Sequence, residues 1–592
     1  MSGGGKTYLG IFSGGVDPAV AVVRDGVVLA YSEEERHLRF KHATGIYPMR
    51  ALKFCLDEAG ISLDEVAAVA MNWNLPAYRD GTMASFFEEV NRQWPVDPQT
   101  RAWQAWALRW FSPETMERYH HRHWRKEFGD IRFPPLHAMP HHYGHAYHAT
   151  VQSPFDQAVC LTIDGSGDQH TAVLWRKDGE RLQPLREILI PHSLGWFYAA
   201  ITEYLGFDAY DGEYKVMGLA AYGRPDADLS EKIARVVSAA PDGVEFRVDP
   251  RFIHHGGHTW SARFTDELVE LLGTSPRRPD DELTPWHENL AFAAQSALEC
   301  AVARLVIWGV RHTDVHQVCI GGGVGLNVKM NSHLFEHPEI DDVFAQPLCS
   351  DSGAAIGAAL AACFQQTGAR PEQLRTLALG PQDDDAEIER LLRLARLDFE
   401  RPADICEVVA EELAAGRIVG WVQGRMEAGP RALGQRSILA DPRSIENRDK
   451  VNAIIKFREY WRPFCPSMIA ESATDYFDAF TDAPFMIMAF RANERLCKEA
   501  PAAVHVDGTA RVQLVHADVL PRYHRLLTCF ERRTGVPVLL NTSFNVKGEP
   551  IVCSTRDALR TFWSTGLEVL ACGSYLVRKP GLARAGADGE TG

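Results

Sequence analysis

The sequence contains no C-x-x-C pair. Its twelve cysteines are scattered singly, which argues against zinc ribbons, iron–sulfur clusters and thioredoxin-type chemistry and fits free thiols in a reducing compartment. The longest small-apolar run, Ala354 to Cys363, falls well short of the roughly 20 residues that span a bilayer. The opening MSGGGKTYLGIFSGG lacks the apolar segment of a signal peptide, so a cytoplasmic location without a membrane partner is expected. Positive charge is in deficit: 62 basic against 78 acidic residues leave a formal charge of -16. That balance repels a phosphate backbone and makes nucleic acid an unexpected partner.

Core-forming residues are plentiful. Hydrophobic residues make up 46% and charged residues 24%, which excludes a disordered or collagen-like chain. The length of 592 residues is about four times the roughly 150 that serve as a prior for one domain, so at least two cores are expected.

An internal echo suggests how the first core is built. Tyr8 to Phe12, the turn Ser13 to Asp17, Ala19 to Val23, a tight Asp-Gly turn and Val27 to Tyr31 return as Ala158 to Ile163, Asp164 to Asp168, Thr171 to Trp175, a second Asp-Gly turn and Leu182 to Ile188. Two copies of strand, Gly/Asp turn, strand, hairpin and strand predict a duplicated α/β domain. Between the copies, tryptophans stand at 94, 103, 106, 110 and 124. The helical spacing of Trp103, Trp106 and Trp110 fits either a face packed on the core or an aromatic acceptor pocket. Residues Phe364 to Asp384 look like a linker to a second domain, giving expected boundaries of 1–370, 371–385 and 386–592.

Several constellations carry chemistry. His141 and His145 are four residues apart, on one face of a helix and able to share a metal. Asp351, at a probable strand end, offers a third ligand. Gly321, Gly322 and Gly323, ahead of Asn327, form a strand-to-helix turn that lets backbone approach a nucleotide-like ligand. This stretch is neither G-x-G-x-x-G nor a Walker A loop, so the Rossmann and P-loop readings are weak. In the second domain, Arg425, Arg431, Arg436, Lys456, Arg458 and Arg462 crowd two short stretches, followed by Arg511, Asn541 and Ser543. Converging basic, amide and hydroxyl donors suit a polyphosphate and its displacement.

The ordered motifs KHATGIYP, HHYGH, DGSGD, EYKVMGLAAYG, IGGGVGLN, SDSGAAIGAA, GRMEAGPRALGQRSILADPR, REYWRPFCPS, HVDGTARVQ and NTSFNVKGEPIV resemble the NodU/CmcH-type O-carbamoyltransferases over nearly the whole chain. The resemblance implies a Kae1-like domain of the actin, Hsp70 and sugar-kinase superfamily, then a YrdC-like α/β domain. The second would make carbamoyl adenylate from ATP, carried with Mg2+, and carbamoyl phosphate. The first would transfer the carbamoyl group to a small-molecule hydroxyl acceptor, as in antibiotic tailoring. Carried over by motif, Arg431, Lys456, Arg462, Arg511, Asn541 and Ser543 would line the adenylation site, with Arg458 a phosphate ligand and Lys456 and Arg462 catalytic. His141, His145 and Asp351 match the metal ligands, with Fe(II) favoured and Asp164 close by as a catalytic group. Gly321 to Gly323 and Asn327 would hold the nucleoside. Lys41 matches the Lys-His pair of the same cleft.

One departure stands out. The family's usual His-Asp after the first strand is here Val16-Asp17, which moves the general-base role to Asp17, to the metal and phosphate environment, or to a second histidine such as His142 or His170. Two alternatives share parts of this pattern: a threonylcarbamoyl tRNA-modifying enzyme, disfavoured by the net charge, and an Hsp70-like nucleotide-gated binding protein, which leaves the second domain without a role.

Overall fold

Short Val, Ile and Leu runs bounded by Gly/Asp turns are read as strands buried on both faces, as in sheets covered by helices. The computed structural model describes residues 5–256, 263–456, 459, 461–462 and 464–582. The chain divides into two units: Met1–Leu29 with Tyr47–Gln373, and Ala30–Ile46 with Leu374–Gly592.

The first unit holds two five-stranded sheets. Strands β1 (Thr7–Phe12), β2 (Ala19–Arg24), β3 (Val27–Glu33), β4 (Val66–Met71) and β5 (Leu136–Ala138) lie in the order β3-β2-β1-β4-β5. The second sheet comprises β6 (Gln157–Gly167), β7 (His170–Asp178) and β8 (Arg181–Leu189), a separate hairpin of β9 (Val237–Ala239) and β10 (Phe246–Val248) intervening in the chain before β11 (Gln317–Gly321) and β12 (Asp342–Ala345). Its order is β12-β11-β6-β7-β8. In each sheet the first two strands are antiparallel and the fourth and fifth add in parallel. One module is therefore used twice, as the echo predicts. Even the turn geometry repeats: Asp17 and Asp168 close the two Gly/Asp turns with φ of 58° and 53°.

A helix follows the fifth strand of each copy and packs on the sheet of the other. His141–Gln152, after β5, lies on β6, β7 and β11; Asp351–Thr367, after β12, lies on β1, β2 and β4. The two helices also pack on each other through small residues. A Cβ at Gly357 would stand 2.2 Å from the Gly144 carbonyl oxygen, and one at Gly10 would stand 1.8 Å from that of Ala355. The Ala354 to Cys363 run is thus a buried contact surface. A longer helix, Pro285–Thr313, is apolar and long enough to cross a membrane by length and composition. Polar His287 and Gln295 break up its pattern, so reading apolar runs misses it; it packs on helices Leu194–Tyr204 and Ala227–Val236 and is mostly buried.

The tryptophan-rich insertion forms helices Thr82–Gln93, Pro98–Trp110 and Pro113–Phe128. Trp124 is fully buried. On the middle helix the buried face is Thr100, Gln104 and Ala107, while Trp103 and Trp110 are half-buried and Trp106 is 38% exposed. The helical spacing of those three tryptophans is real, but it is not a core stripe.

The second unit is a mixed seven-stranded sheet of β13 (Val419–Val422), β14 (Arg436–Ala440), β15 (Cys465–Ile469), β18 (Gln513–Val515), β19 (Val538–Ser543), β20 (Val569–Cys572) and β21 (Tyr575–Arg578), with a small ribbon of β16 (Phe490–Arg491) and β17 (Thr509–Ala510). The order is β18-β15-β19-β14-β13-β20-β21. Helices Ile405–Ala414 and Pro521–Thr534 pack against each other and supply Val409, Leu413, Leu526 and Phe530 to a core with Trp421 and Leu539. This is the α/β class expected of the second domain. The Ala30–Ile46 segment plugs into this unit: buried Arg36 donates to the Gly429 carbonyl at 2.6 Å and Arg39 to the Pro550 carbonyl at 2.7 Å.

If the helix crossing is as tight as described, Gly357→Ala forces the Gly144 backbone aside at a cost of about 1–3 kcal/mol. Thermal unfolding should register a clear loss; an unchanged melting temperature would contradict the crossing.

Candidate functional site

His141 opens its helix, and its N–H donates to the Asp168 carboxylate at 2.9 Å. The same carboxylate accepts from the Asn74 N–H at 3.0 Å, so the second Gly/Asp turn fixes where the helix begins. From there His141 Nε2 and His145 Nε2 lie 3.0 Å apart. Asp351 Oδ1 is 3.2 Å from His145 Nε2 and 3.4 Å from His141 Nε2, and Asp164 Oδ2 is 3.6 Å from His145 Nε2.

Ligands bound at about 2.0–2.2 Å in tetrahedral or octahedral geometry sit about 3.0–3.5 Å from one another. The three pairs among His141, His145 and Asp351 fit that spacing, and all four donors lie within 4.8 Å of one another. Two imidazoles with two carboxylates suit iron, zinc or manganese. The electrostatics agree. Burial would lower the His141 pKa, but the carboxylates of Asp351, Asp164 and Asp168 together outweigh it and lift the ring to about 9. Burial and then Asp351 push the Asp164 carboxyl up. The half-buried carboxylates of Asp164 and Asp351 beside two buried imidazoles form a donor set whose charge a divalent cation would neutralise.

The glycine-rich turn serves this cluster directly. Gly322 has φ 83°, and a Cβ there would stand 2.3 Å from the Ile163 carbonyl oxygen. Only glycine lets the end of β11 lie so close to β6. The Gly323 N–H then donates to Asp164 Oδ2 at 3.0 Å, and a Cβ at Gly321 would meet the His145 carbonyl at 3.1 Å. The Asn327 amide is engaged internally: it exchanges hydrogen bonds of 2.9 and 3.0 Å with Gln295 and caps the next helix by accepting from Met330 N–H. His142 is deeply buried, one ring nitrogen 3.0 Å from Thr162 Oγ1 and the other 3.3 Å from the His170 carbonyl. That leaves it no nitrogen for a base role. His170 Nε2 lies 3.2 Å from the Glu187 carboxylate, while burial lowers the ring's pKa. Asp17 remains half-buried in the first turn of this unit.

In the second unit, buried Lys456 donates to Ser543 Oγ at 3.1 Å and to Asn545 Oδ1 at 2.6 Å. Asn541 is buried in β19, its Nδ2 within 3.0 Å of Ser467 Oγ and 3.2 Å of the Ala432 carbonyl. It therefore holds the loop that carries half-buried Arg431. Arg511 Nε donates to Cys465 Sγ at 2.8 Å, and the register sets Cys465 opposite Asn541 and Ser437 opposite Ser543. Arg462 is half-buried beside this strand, and Lys41 is half-buried in the Ala30–Ile46 segment. Arg458 lies outside the described residues.

Two of the basic residues counted in the sequence do another job. Fully buried Arg436 donates to the carbonyls of Cys553, Gln423, Gly424, Gln435 and Pro381 at 3.0–3.1 Å. Arg425 donates to the carbonyls of Gly380 and Leu379. Sequence reasoning also missed Glu427, whose buried Oε1 accepts from the N–H groups of Leu433 and Arg436 at 2.8 and 3.1 Å. Burial opposes the Arg36 charge, but Glu33 and Glu35 more than offset this and hold it ionised beneath the same loop. A glutamate between glycine, proline and arginine in GRMEAGPRALG was the available signal.

Residues 8–360 match the family profile described as Carbamoyltransferase N-terminus, and residues 410–579 match Carbamoyltransferase C-terminus. The chain is 36% identical over 605 residues to uncharacterized protein sll1178 of Synechocystis, covering 96% of each chain. It is 36% identical to nodulation protein NolNO of Sinorhizobium fredii, covering 95% of this chain and 79% of the relative, and 38% identical to NolO of Bradyrhizobium diazoefficiens, covering 74% and 79%.

Two outcomes follow from this geometry. The His141 pKa rises from an unfolded value of about 6.5 to about 9, so the metal-free fold gains from the protonated ring below about 6.5 and loses that gain as pH rises through 9. Cation binding has the opposite sign and must expel the proton. Calorimetric titration with Zn2+ in buffers of differing ionisation enthalpy should read about one proton released per ion near neutral pH; no release would contradict the assignment. Separately, Arg436→Met strands buried carbonyls at about 1–3 kcal/mol each, and the urea midpoint should fall sharply. An unshifted midpoint would show that these carbonyls find other donors.

Proposed function

The chain belongs to the carbamoyltransferase family, and from that premise we propose that it is a cytoplasmic, ATP-dependent O-carbamoyltransferase that modifies a hydroxyl of a small-molecule natural product. The observation that carries the proposal is the presence of two different donor sets: buried imidazoles with half-buried carboxylates in the first unit, and the basic, amide and hydroxyl set around Lys456 in the second. Each is chemically suited to one half of a two-step transfer.

In the first step carbamoyl phosphate is hydrolysed to carbamate and phosphate. A carbamate oxygen then attacks the α-phosphorus of MgATP, forming carbamoyl adenylate and expelling pyrophosphate. Lys456 is held by Ser543 and Asn545, so its charge is fixed before substrate arrives, which is what stabilises developing negative charge efficiently. Arg431, Arg462 and Arg511 would neutralise the phosphate groups, while Asn541 fixes the Arg431 loop from behind.

In the second step the acceptor hydroxyl oxygen attacks the carbamoyl carbon and AMP leaves. The hydroxyl proton must pass to a base. Asp17 is the candidate in the first unit, since both ring nitrogens of His142 are engaged. His141, His145, Asp351 and Asp164 would hold a divalent metal, which when bound supplies Lewis-acid charge for the adenylate phosphate. A chain of aromatic contacts supports an acceptor wall beside this cluster. Trp73 lies 4.9 Å from His141, Phe111 lies 4.3 Å from Trp73, and Trp106, stacked 5.6 Å from Trp110, presents an exposed face. The twelve free cysteines support a reducing compartment.

Lys456→Ala should reduce carbamoyl-phosphate-dependent ATP–pyrophosphate exchange about 10²–10³-fold, whereas His145→Ala should keep exchange and lose transfer. Equal loss of both activities in the His145 variant would refute the division of labour. Trp106→Ala should raise the acceptor KM with the ATP KM unchanged; the reverse pattern would remove the acceptor wall.

A further inference from the structure

Asn72 follows the last residue of β4 and is wholly buried. Its side-chain amide faces the far side of His141: Asn72 Nδ2 lies 3.2 Å from His141 Nδ1, and Asn72 Oδ1 is buried without a hydrogen-bond partner. Gly144 makes this approach possible, because a Cβ there would stand 3.0 Å from the Asn72 Cβ. The two faces of an amide differ only in which atom is nitrogen and which is oxygen, and their assignment follows from the hydrogen bonds they can make.

Two arrangements are available. With Nδ2 toward the ring, Nδ1 must accept, the imidazole proton sits on Nε2, and that nitrogen has no lone pair for a cation. It would instead point a proton at His145 Nε2, 3.0 Å away. With the amide turned over, Oδ1 accepts from Nδ1–H, the orphaned oxygen is satisfied, and the Nε2 lone pair faces His145, Asp351 and Asp164. Turning the amide over leaves Nδ2 at the unpartnered position in place of Oδ1, so the choice rests on the cluster: only the second arrangement leaves all four donors usable together.

We propose that Asn72 is a positioning residue that accepts the Nδ1–H of His141 through Oδ1 and so selects the tautomer in which Nε2 binds a divalent cation. The inference rests on reading His141, His145 and Asp351 as metal ligands. It adds a residue from the first copy of the duplicated module, at the end of its fourth strand. In the second copy the end of the fourth strand is Gly321, where the glycine turn begins and holds Asp164. The ends of equivalent strands thus support two different ligands, one by an amide side chain and one by a backbone N–H. A partner on the second nitrogen of a ligating histidine fixes ring orientation and raises basicity, and its loss typically lowers metal affinity about 10–100-fold.

The test uses the full-length protein stripped of metal and titrated with Zn2+ against a chromophoric chelator. Asn72→Leu should weaken binding by about 10–100-fold, while Asn72→Asp, which keeps an acceptor oxygen toward Nδ1, should stay near the wild-type affinity. Thermal unfolding of the metal-free variants reports whether they fold. Should the leucine variant not fold, nitrogen-15 spectra of the Zn2+-loaded wild type supply the answer: a protected Nδ1–H on His141 supports the assignment, and a protonated Nε2 overturns it. Wild-type affinity in a folded Asn72→Leu variant, alongside loss of binding in His145→Ala, would overturn the role of Asn72 and leave the metal centre standing. Undiminished binding in His145→Ala would remove the metal centre and this inference together.

Discussion

The contact between the helices His141–Gln152 and Asp351–Thr367 governs the first unit. Each begins just after the fifth strand of one copy of the module and lies on the sheet of the other, so their crossing ties the two copies together. The crossing is close only because Gly357 carries no side chain where the Gly144 carbonyl approaches it. Its consequence is chemical. His141 and Asp351 are the first residues of their helices, so bringing the helices together brings two ligand atoms within 3.4 Å. His145 joins them one helical turn on, and the glycine turn after β11 delivers Asp164.

Charge burial is handled differently in the two units. In the first, the half-buried carboxylates of Asp164 and Asp351 face two buried imidazoles, an arrangement suited to a cation. In the second, the buried arginines are satisfied without one. Arg436 is surrounded by five carbonyls, and Arg36 by Glu33, Glu35 and the Gly429 carbonyl. Arg436 ties the chain on either side of the loop of Glu427 to Gly434, through Gly424 and Gln435, and Arg36 binds within it at Gly429, which limits the positions open to Arg431.

Much of this was legible in the chain. The duplicated module could be read because Gly/Asp turns and alternating apolar runs are local features, and their repetition survives however the copies pack. The His141 and His145 pair was legible because a four-residue spacing on a helix sets two side chains on one face. Other parts were less so. Trp103, Trp106 and Trp110 share a helical face, yet which face is buried depends on what lies opposite, and there Thr100, Gln104 and Ala107 turn inward. Counting basic residues between Arg425 and Arg462 pointed to a second candidate site but could not separate Arg436, which faces carbonyls, from Lys456, which faces Ser543 and Asn545.

The sequence by itself determined the module, its repetition, the family and the residue types of both candidate sites, because each is written in neighbouring residues or in motif order. The tertiary structure alone decided the partners. Asn72 meets His141, Asp164 meets the Gly323 N–H, Arg36 meets Gly429, and Asn541 meets Ala432. These pairs are separated by between 69 and 393 positions in the chain. No local pattern encodes such a meeting, since it depends on strand register, helix crossing and the direction in which each buried polar group must find its partner.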